Sequence, residues 1–271
     1  MAIKTQPVSP WAGLSLAAGV ACLLTGSLGQ PPWAPISLFS AAAQSALGWS
    51  LIALGGAGFR RQPVPRSLGL NAPAPPVPLW VQGLWALGLV SLSLGLNTLI
   101  SMTGWAASGT LFEIQQTMTR MPADQWGLAL LTLDLAPAVS EELLFRGLLL
   151  GLLLGRSVKP GAAILLTSFA FGVAHLDPIH GGAATVLGIY LGTVAWAAHS
   201  IRPAILAHAA NNGVALLGAS GLVDETSLSS TTGWAIGLGA AIGGGGALWT
   251  LVRRIRSTAS HPPAEPDCPS A

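Results

Sequence analysis

Apolar residues in this chain come in long unbroken runs, with neither the period-two alternation of a strand nor the one-sided stripe of a surface helix. Runs long enough to span a bilayer, which needs ~20 residues, fall at about 11–29, 35–58, 77–103, 126–155, 160–176, 183–200, 202–218 and 232–252. A helix that is apolar all round is buried or lies in lipid. The pattern therefore predicts an all-α, polytopic membrane bundle of about eight transmembrane helices. The apolar core of the first run, about 19 residues, exceeds the 7–15 of a signal peptide, so that helix is expected to be retained.

The segments between runs predict the organisation. Residues 1–59 read as an N-terminal transmembrane helix pair, and 60–76 as a semi-rigid cytoplasmic linker rich in proline and arginine. Residues 77–256 read as a six-helix core, with its polar motifs within 126–218, and 257–271 as a disordered tail. Residues 108–124 form a mixed polar and apolar outer loop, compatible with a surface-lying helix.

Composition narrows the class further. Charged residues make up 8% of the chain and hydrophobic ones 51%, with mean hydropathy +0.62. A soluble domain carries about 25% charged residues. With a cytoplasmic N-terminus, ten of the twelve Lys and Arg residues fall on the cytoplasmic side, leaving Arg120 outside and Arg146 buried. The positive-inside rule thus predicts an integral, multi-pass protein with both termini cytoplasmic. Trp11, Trp80 and Trp249 near one face, and Trp33, Trp105, Trp126 and Trp234 near the other, agree with interfacial belts. The net charge of +2 belongs to these loops and gives no reason to expect nucleic acid as a partner. Cys22 and Cys268 form no C-x-x-C pair and offer neither a disulfide framework nor a thiolate metal site.

Against this background, Ser140-Glu141-Glu142-Leu143-Leu144-Phe145-Arg146-Gly147 stands out. One ionisable side chain at the centre of a transmembrane helix costs at least ~2.5–3.5 kcal/mol, and here there are three. Glu142 and Arg146, four apart on one face, can pair in the favourable order, acid before base. Glu141, about 100° round the helix, is left without that partner.

The other polar groups at depth share the four-residue spacing: Phe171 with His175, and His208 with Asn212. A carboxylate, two imidazoles and an amide form a workable set for hydrolysis. The acid takes a proton from water, an imidazole holds that water, and His or Asn donors stabilise an oxyanion. The same residues also allow a zinc site, with Glu141, His175 and His208 as ligands and one position open. The metal-free reading is preferred, because an amide is an uncommon zinc ligand and no H-E-x-x-H helix is present.

E-E-x-x-x-R, F-x-x-x-H and H-x-x-x-N, in that order on successive apolar helices, resemble the CPBP family (CAAX protease and bacteriocin-processing) of intramembrane endopeptidases. This family is related to the type II CAAX prenyl protease, and its members are often called metalloproteases. The resemblance implies that Glu141 is the catalytic carboxylate, that His175 helps activate water, and that His208 and Asn212 hold the oxyanion. Glu142 and Arg146 would support the surrounding helices, with Phe171 as a pocket wall or core. The partners it implies are membrane lipid and a membrane-associated protein or peptide substrate, prenylated only if the host prenylates proteins. No cofactor is expected, zinc being the alternative.

Rival readings are weaker. Gly218-Ala219-Ser220-Gly221 matches a rhomboid-type G-x-S-G motif, yet only His261 in the tail follows it as a base. A transporter, a non-proteolytic partner or a bacteriocin-immunity role would use the same buried polar site. Among the remaining polar residues, His180 is expected to be solvated in an outer loop, and His199 to be a packing residue. Asn211 reads as a helix-packing amide, and Asp134, before Pro137, either caps a kink or lines a path for water. One geometric tension remains. Counting 1.5 Å per residue puts Glu141 and His175 about 21–22 Å deep but His208 only about 9 Å. Either the span boundaries differ, or the seventh helix starts inside the membrane after a dip around Ser200-Ile201-Arg202-Pro203.

Overall fold

Every regular element that the computed structural model describes is helical; it describes residues 8–26, 35–60, 62–102, 110–219, 244, 246–247 and 249–255. Helices α1 (Ala12–Gly26) and α2 (Pro35–Phe59) form an antiparallel hairpin, and a single turn, α3 (Val64–Ser67), follows. Next come α4 (Leu79–Met102) and the short α5 (Thr110–Thr119), which occupies the expected outer loop as a helix. A long helix, α6 (126–155), carries the acidic motif, followed by α7 (Pro160–Val173), α8 (Pro178–Ala198) and α9 (Arg202–Ala219).

Leu38–Phe59, Leu79–Ile100 and Pro178–Ala198 are long and apolar enough to cross a membrane, while Ala12–Leu24 and Pro160–Val173 are shorter apolar helices. The expected eighth span, 232–252, lies largely outside the described residues, as do Ser220 and the tail.

Two corrections bear on the site. Helix α8 begins at Pro178, five residues before the apolar run suggested, because Asp177 caps it: its Oδ1 accepts from the backbone N–H of Ile179 and of His180, each at 2.9 Å. Proline at the first helical position completes that start.

The 60–76 segment, in turn, touches the helices at several points, while Pro63, Pro65, Arg66, Asn71, Ala72 and Ala74–Pro76 stay exposed. Leu68 is fully buried, and the backbone of residues 69–75 is latched to the turn between α8 and α9. Ile201 N donates to Gly69 O at 2.9 Å, Ser200 Oγ to Asn71 O at 2.7 Å, and Ala74 N to Ala198 O at 3.1 Å. At the other end of the segment, Arg60 donates to Ser67 O at 2.6 Å and to Gly151 O at 3.3 Å. Ser200, Ile201 and Pro203 are buried beneath this cover. The α8–α9 turn is thus half covered, with Ser200 and Ile201 buried and His199 and Arg202 exposed. His199 ends α8 in the left-handed conformation (φ 49°) with its side chain exposed, and is not the packing residue expected.

Two apolar clusters flank the polar residues. One joins α4, α8 and α9 through Trp85, Leu89, Leu191, Val194 and Ile201. Tyr190 there donates to Trp85 O at 2.8 Å, and Trp85 Nε1 to Thr250 Oγ1 at 3.0 Å. The other joins α2, α6 and the linker through Ala53, Ala57, Leu68, Phe145, Leu148 and Phe171.

The linker reaches α6 only because residue 147 has no side chain. A Cβ on Gly147 would lie 2.6 Å from Leu68 O and 3.2 Å from Leu68 Cα, so backbone would have to move. Gly147→Ala is expected to destabilise the protein by about 1–3 kcal/mol and lower its melting temperature in detergent. Gly83→Ala, where nothing lies within 4 Å of the added carbon, should leave it unchanged or slightly raised.

Candidate active site

Helix α6 is not a uniform α-helix. Leu130–Leu135 and Glu142–Leu150 wind as wider π turns, with α-helical Ala136–Glu141 between them. Such turns are uncommon and frequently accompany functional sites. The second begins at Glu142, immediately after Glu141.

Glu142 and Arg146 form the expected pair, Arg146 Nη1 donating to Glu142 Oε1 at 2.7 Å with both side chains fully buried. The guanidinium also ties neighbouring helices to α6. Nη2 donates to Gly188 O of α8 at 3.1 Å, and Cζ stands 4.4 Å from the centre of the Phe171 ring on α7. On the far side of the pair, His208 Nδ1 lies 3.0 Å from the same Glu142 Oε1, and Nε2 lies 3.7 Å from Glu141 Oε2. His208 therefore sits between the two carboxylates, and α9 does reach the acidic motif. Glu142 does more than brace the helix, since its oxygen fixes the ring plane of His208. The side chain of Glu141 keeps 16% of its surface open, against none for Glu142.

His175 is held from within its own helix. Its Nδ1 lies 2.8 Å from Phe171 O. A carbonyl only accepts, so the proton is on Nδ1 and Nε2 carries the lone pair. Phe171 links the two histidines, its ring edge-on to His175 at 4.8 Å and to His208 at 6.0 Å. It is a wall and core residue at once, 3% exposed. A cavity of about 160 Å³ opens beside Glu141, bounded by Phe145, Phe171, Ala174 and His175 together with Ser45 and Trp49 of α2. His208 and Asn212 are not in its lining. Asn212 is half-buried one turn beyond His208, and its side chain makes no hydrogen bond among the described residues.

Several nearby residues escaped the sequence reading. His180, expected in solvent, is half-buried with its ring centre 4.4 Å from that of His175, and its Nδ1 is buried without a partner among the described residues. The Asp-Pro start of a capped helix at 177–178 was the available signal that His180 belongs to a packed first turn. Asp134 is 6% exposed, faces Gly213 of α9 and lies within electrostatic reach of His208, so it borders the site. Nothing in the pattern of α2 marked Ser45 or Trp49.

For zinc, three ligands must converge within about 2.0–2.2 Å of one point. His208 already gives Nδ1 to Glu142, and among the described residues no three His, Cys, Asp or Glu side chains form such a group. As arranged, Glu141, His175 and His208 do not fit the ion.

Residues 123–214 match the family model for type II CAAX prenyl endopeptidase Rce1-like proteins. Through this segment, about a third of the chain, the protein is similar to the CAAX proteases. No curated protein and no solved structure matches it. The Rce1-like segment runs from the turn before α6 into α9 and so contains all three polar motifs, whereas α1, α2 and α4 lie outside it. This likeness and the apolar helices make the chain an integral membrane protein.

Removing one partner of a buried ion pair strands the other, at a cost of roughly 3–5 kcal/mol. Glu142→Leu should therefore lower unfolding stability in detergent by about that amount. Adding Arg146→Leu should recover much of the loss, because an apolar replacement of both partners is often neutral.

Proposed function

We propose that the protein is a multi-pass intramembrane endopeptidase of the CAAX-protease type, which hydrolyses a peptide bond of a membrane-associated protein or peptide with water activated by Glu141. The observation that carries the reading is the asymmetry of the two acids. Glu142 is closed off by Arg146 and His208, while Glu141 keeps an open face on a cavity that His175 also lines.

In this reading Glu141 accepts a proton from water as the oxygen attacks the scissile carbonyl, then returns it to the leaving amine. His175, with its Nε2 lone pair, accepts a hydrogen bond from the same water and aims it. His208 has a carboxylate facing each ring nitrogen, Glu142 Oε1 at 3.0 Å from Nδ1 and Glu141 Oε2 at 3.7 Å from Nε2. In this reading His208 and the Asn212 amide hold the developing oxyanion. No step requires a metal ion.

Glu141→Gln and His208→Ala should each reduce cleavage by about 10²–10⁴-fold, the range for losing a general base or an oxyanion donor. The assay is proteolysis in reconstituted liposomes, with size-exclusion chromatography showing that both variants remain folded. Co-purification of an uncut protein or peptide with Glu141→Gln from native membranes would name the substrate. Unchanged activity or phenotype in both variants would instead point to a binding or immunity role.

A further inference from the structure

Two of the side chains around the reactive cavity come from outside the Rce1-like segment. Ser45 and Trp49 are four residues apart on α2 and so share one helical face. Trp49 is half-buried and Ser45 is exposed, which makes the indole a wall and the hydroxyl a rim. The Trp49 ring lies 6.0 Å from Phe145, Phe145 stands edge-on to Phe171 at 5.2 Å, and Phe171 edge-on to His175 at 4.8 Å. A continuous aromatic row thus runs from α2 to the histidine beside Glu141. Helix α2 is held at this distance by small residues: Ala53 and Ala57 are fully buried on its inner face, and Gly56 meets the side chain of Leu148. The indole is therefore fixed in position by the packing of its own helix.

The space it limits is small. An apolar cavity of about 150 Å³ holds one benzene, and this one measures about 160 Å³. Part of it must admit the scissile peptide and its water, because Glu141 and His175 are in the same lining. Apart from Ser45, Glu141 and His175, which are polar, the lining is Trp49, Phe145, Phe171 and Ala174, so the walls that limit a group beside the peptide are mainly aromatic rings.

We propose that Trp49, with Ser45 at the rim, sets the size of the substrate side chain accepted next to the scissile bond, making the α1–α2 hairpin the selectivity element of this protease. The proposal rests on Glu141 acting at that cavity. It assigns substrate choice to a helix pair that carries none of the three motifs.

The test uses the full-length protein in liposomes and a quenched peptide series that differs only in the residues flanking the cleaved bond, each set in turn to Ala, Val, Leu, Phe or Trp. Trp49→Ala is expected to raise kcat/KM for the Phe and Trp peptides, relative to the Ala peptide, by at least about 10-fold. One methylene in a hydrophobic pocket is already worth roughly 10–200-fold. Ser45→Leu should shift preference the other way, and Trp49→Phe, which keeps a ring and guards against a folding defect in Trp49→Ala, should relax it in part. An unchanged ranking in Ser45→Leu and Trp49→Phe overturns the proposal while leaving the peptidase reading intact.

A second arm needs no turnover. A peptide carrying a diazirine analogue of leucine at the flanking position is photolysed with the Glu141→Gln protein. Label on residues 45–49 supports the subsite even if the wild type cleaves nothing, in which case the peptidase reading is what fails. Label confined to other helices overturns the subsite.

Discussion

The Glu142–Arg146 pair is the constraint on which the rest of the site depends. Two full charges without solvent access persist because they neutralise each other, and each further partner lowers their cost. Arg146 also reaches the Gly188 carbonyl of α8 and the face of the Phe171 ring on α7, and Glu142 Oε1 also takes His208 of α9. Arg146 Nε and Glu142 Oε2 stay buried without a partner among the described residues. One ion pair on α6 therefore selects the positions of three other helices. The reactive geometry follows from this selection, because His208 oriented through Nδ1 presents its other nitrogen to Glu141.

A second constraint holds the start of α9. The α8–α9 turn takes backbone and side-chain partners from residues 69–74. Unpaired main-chain groups in a packed turn would be expensive, and a proline-rich linker with free carbonyls supplies acceptors. The absence of a side chain at 147 lets that linker lie directly on α6. Linker, glycine and turn thus act together to hold the start of the helix that bears His208.

What could be read from the sequence was whatever lies within one helical turn. The four-residue spacings gave Glu142 with Arg146 and Phe171 with His175, and both contacts are present. The depth count gave the dip before α9 as one of two options, since it needs only rise per residue and the positions of charges. What stayed hidden depends on contacts between distant segments. Nothing local marks residues 68–74 as hydrogen-bonded to the α8–α9 turn, because proline and arginine also suit a solvated linker. His180 looked like a loop residue until its place in a capped first turn brought it against His175. The π turns of α6 are likewise invisible to a hydrophobic pattern: they shift side chains by a fraction of a turn and leave the apolar content untouched.

The division of labour along the chain has a physical rationale. Side chains that act together must be fixed to within a fraction of an ångström, and three of the motif residues are each held by a partner: Glu142 by Arg146, His208 by Glu142, His175 by the carbonyl of Phe171. Changing any of them strands a buried charge or frees a ring. The α2 face is under no such requirement. Ser45 and Trp49 contribute shape and apolar surface but hold no charge and support no other polar group. Exchanging them alters the volume beside Glu141 without touching the Glu142–Arg146 pair that ties α6 to its neighbours. A wall built from such residues can vary while the buried polar cluster stays constant, so under the proposed function the choice of substrate is separable from the ability to cut it.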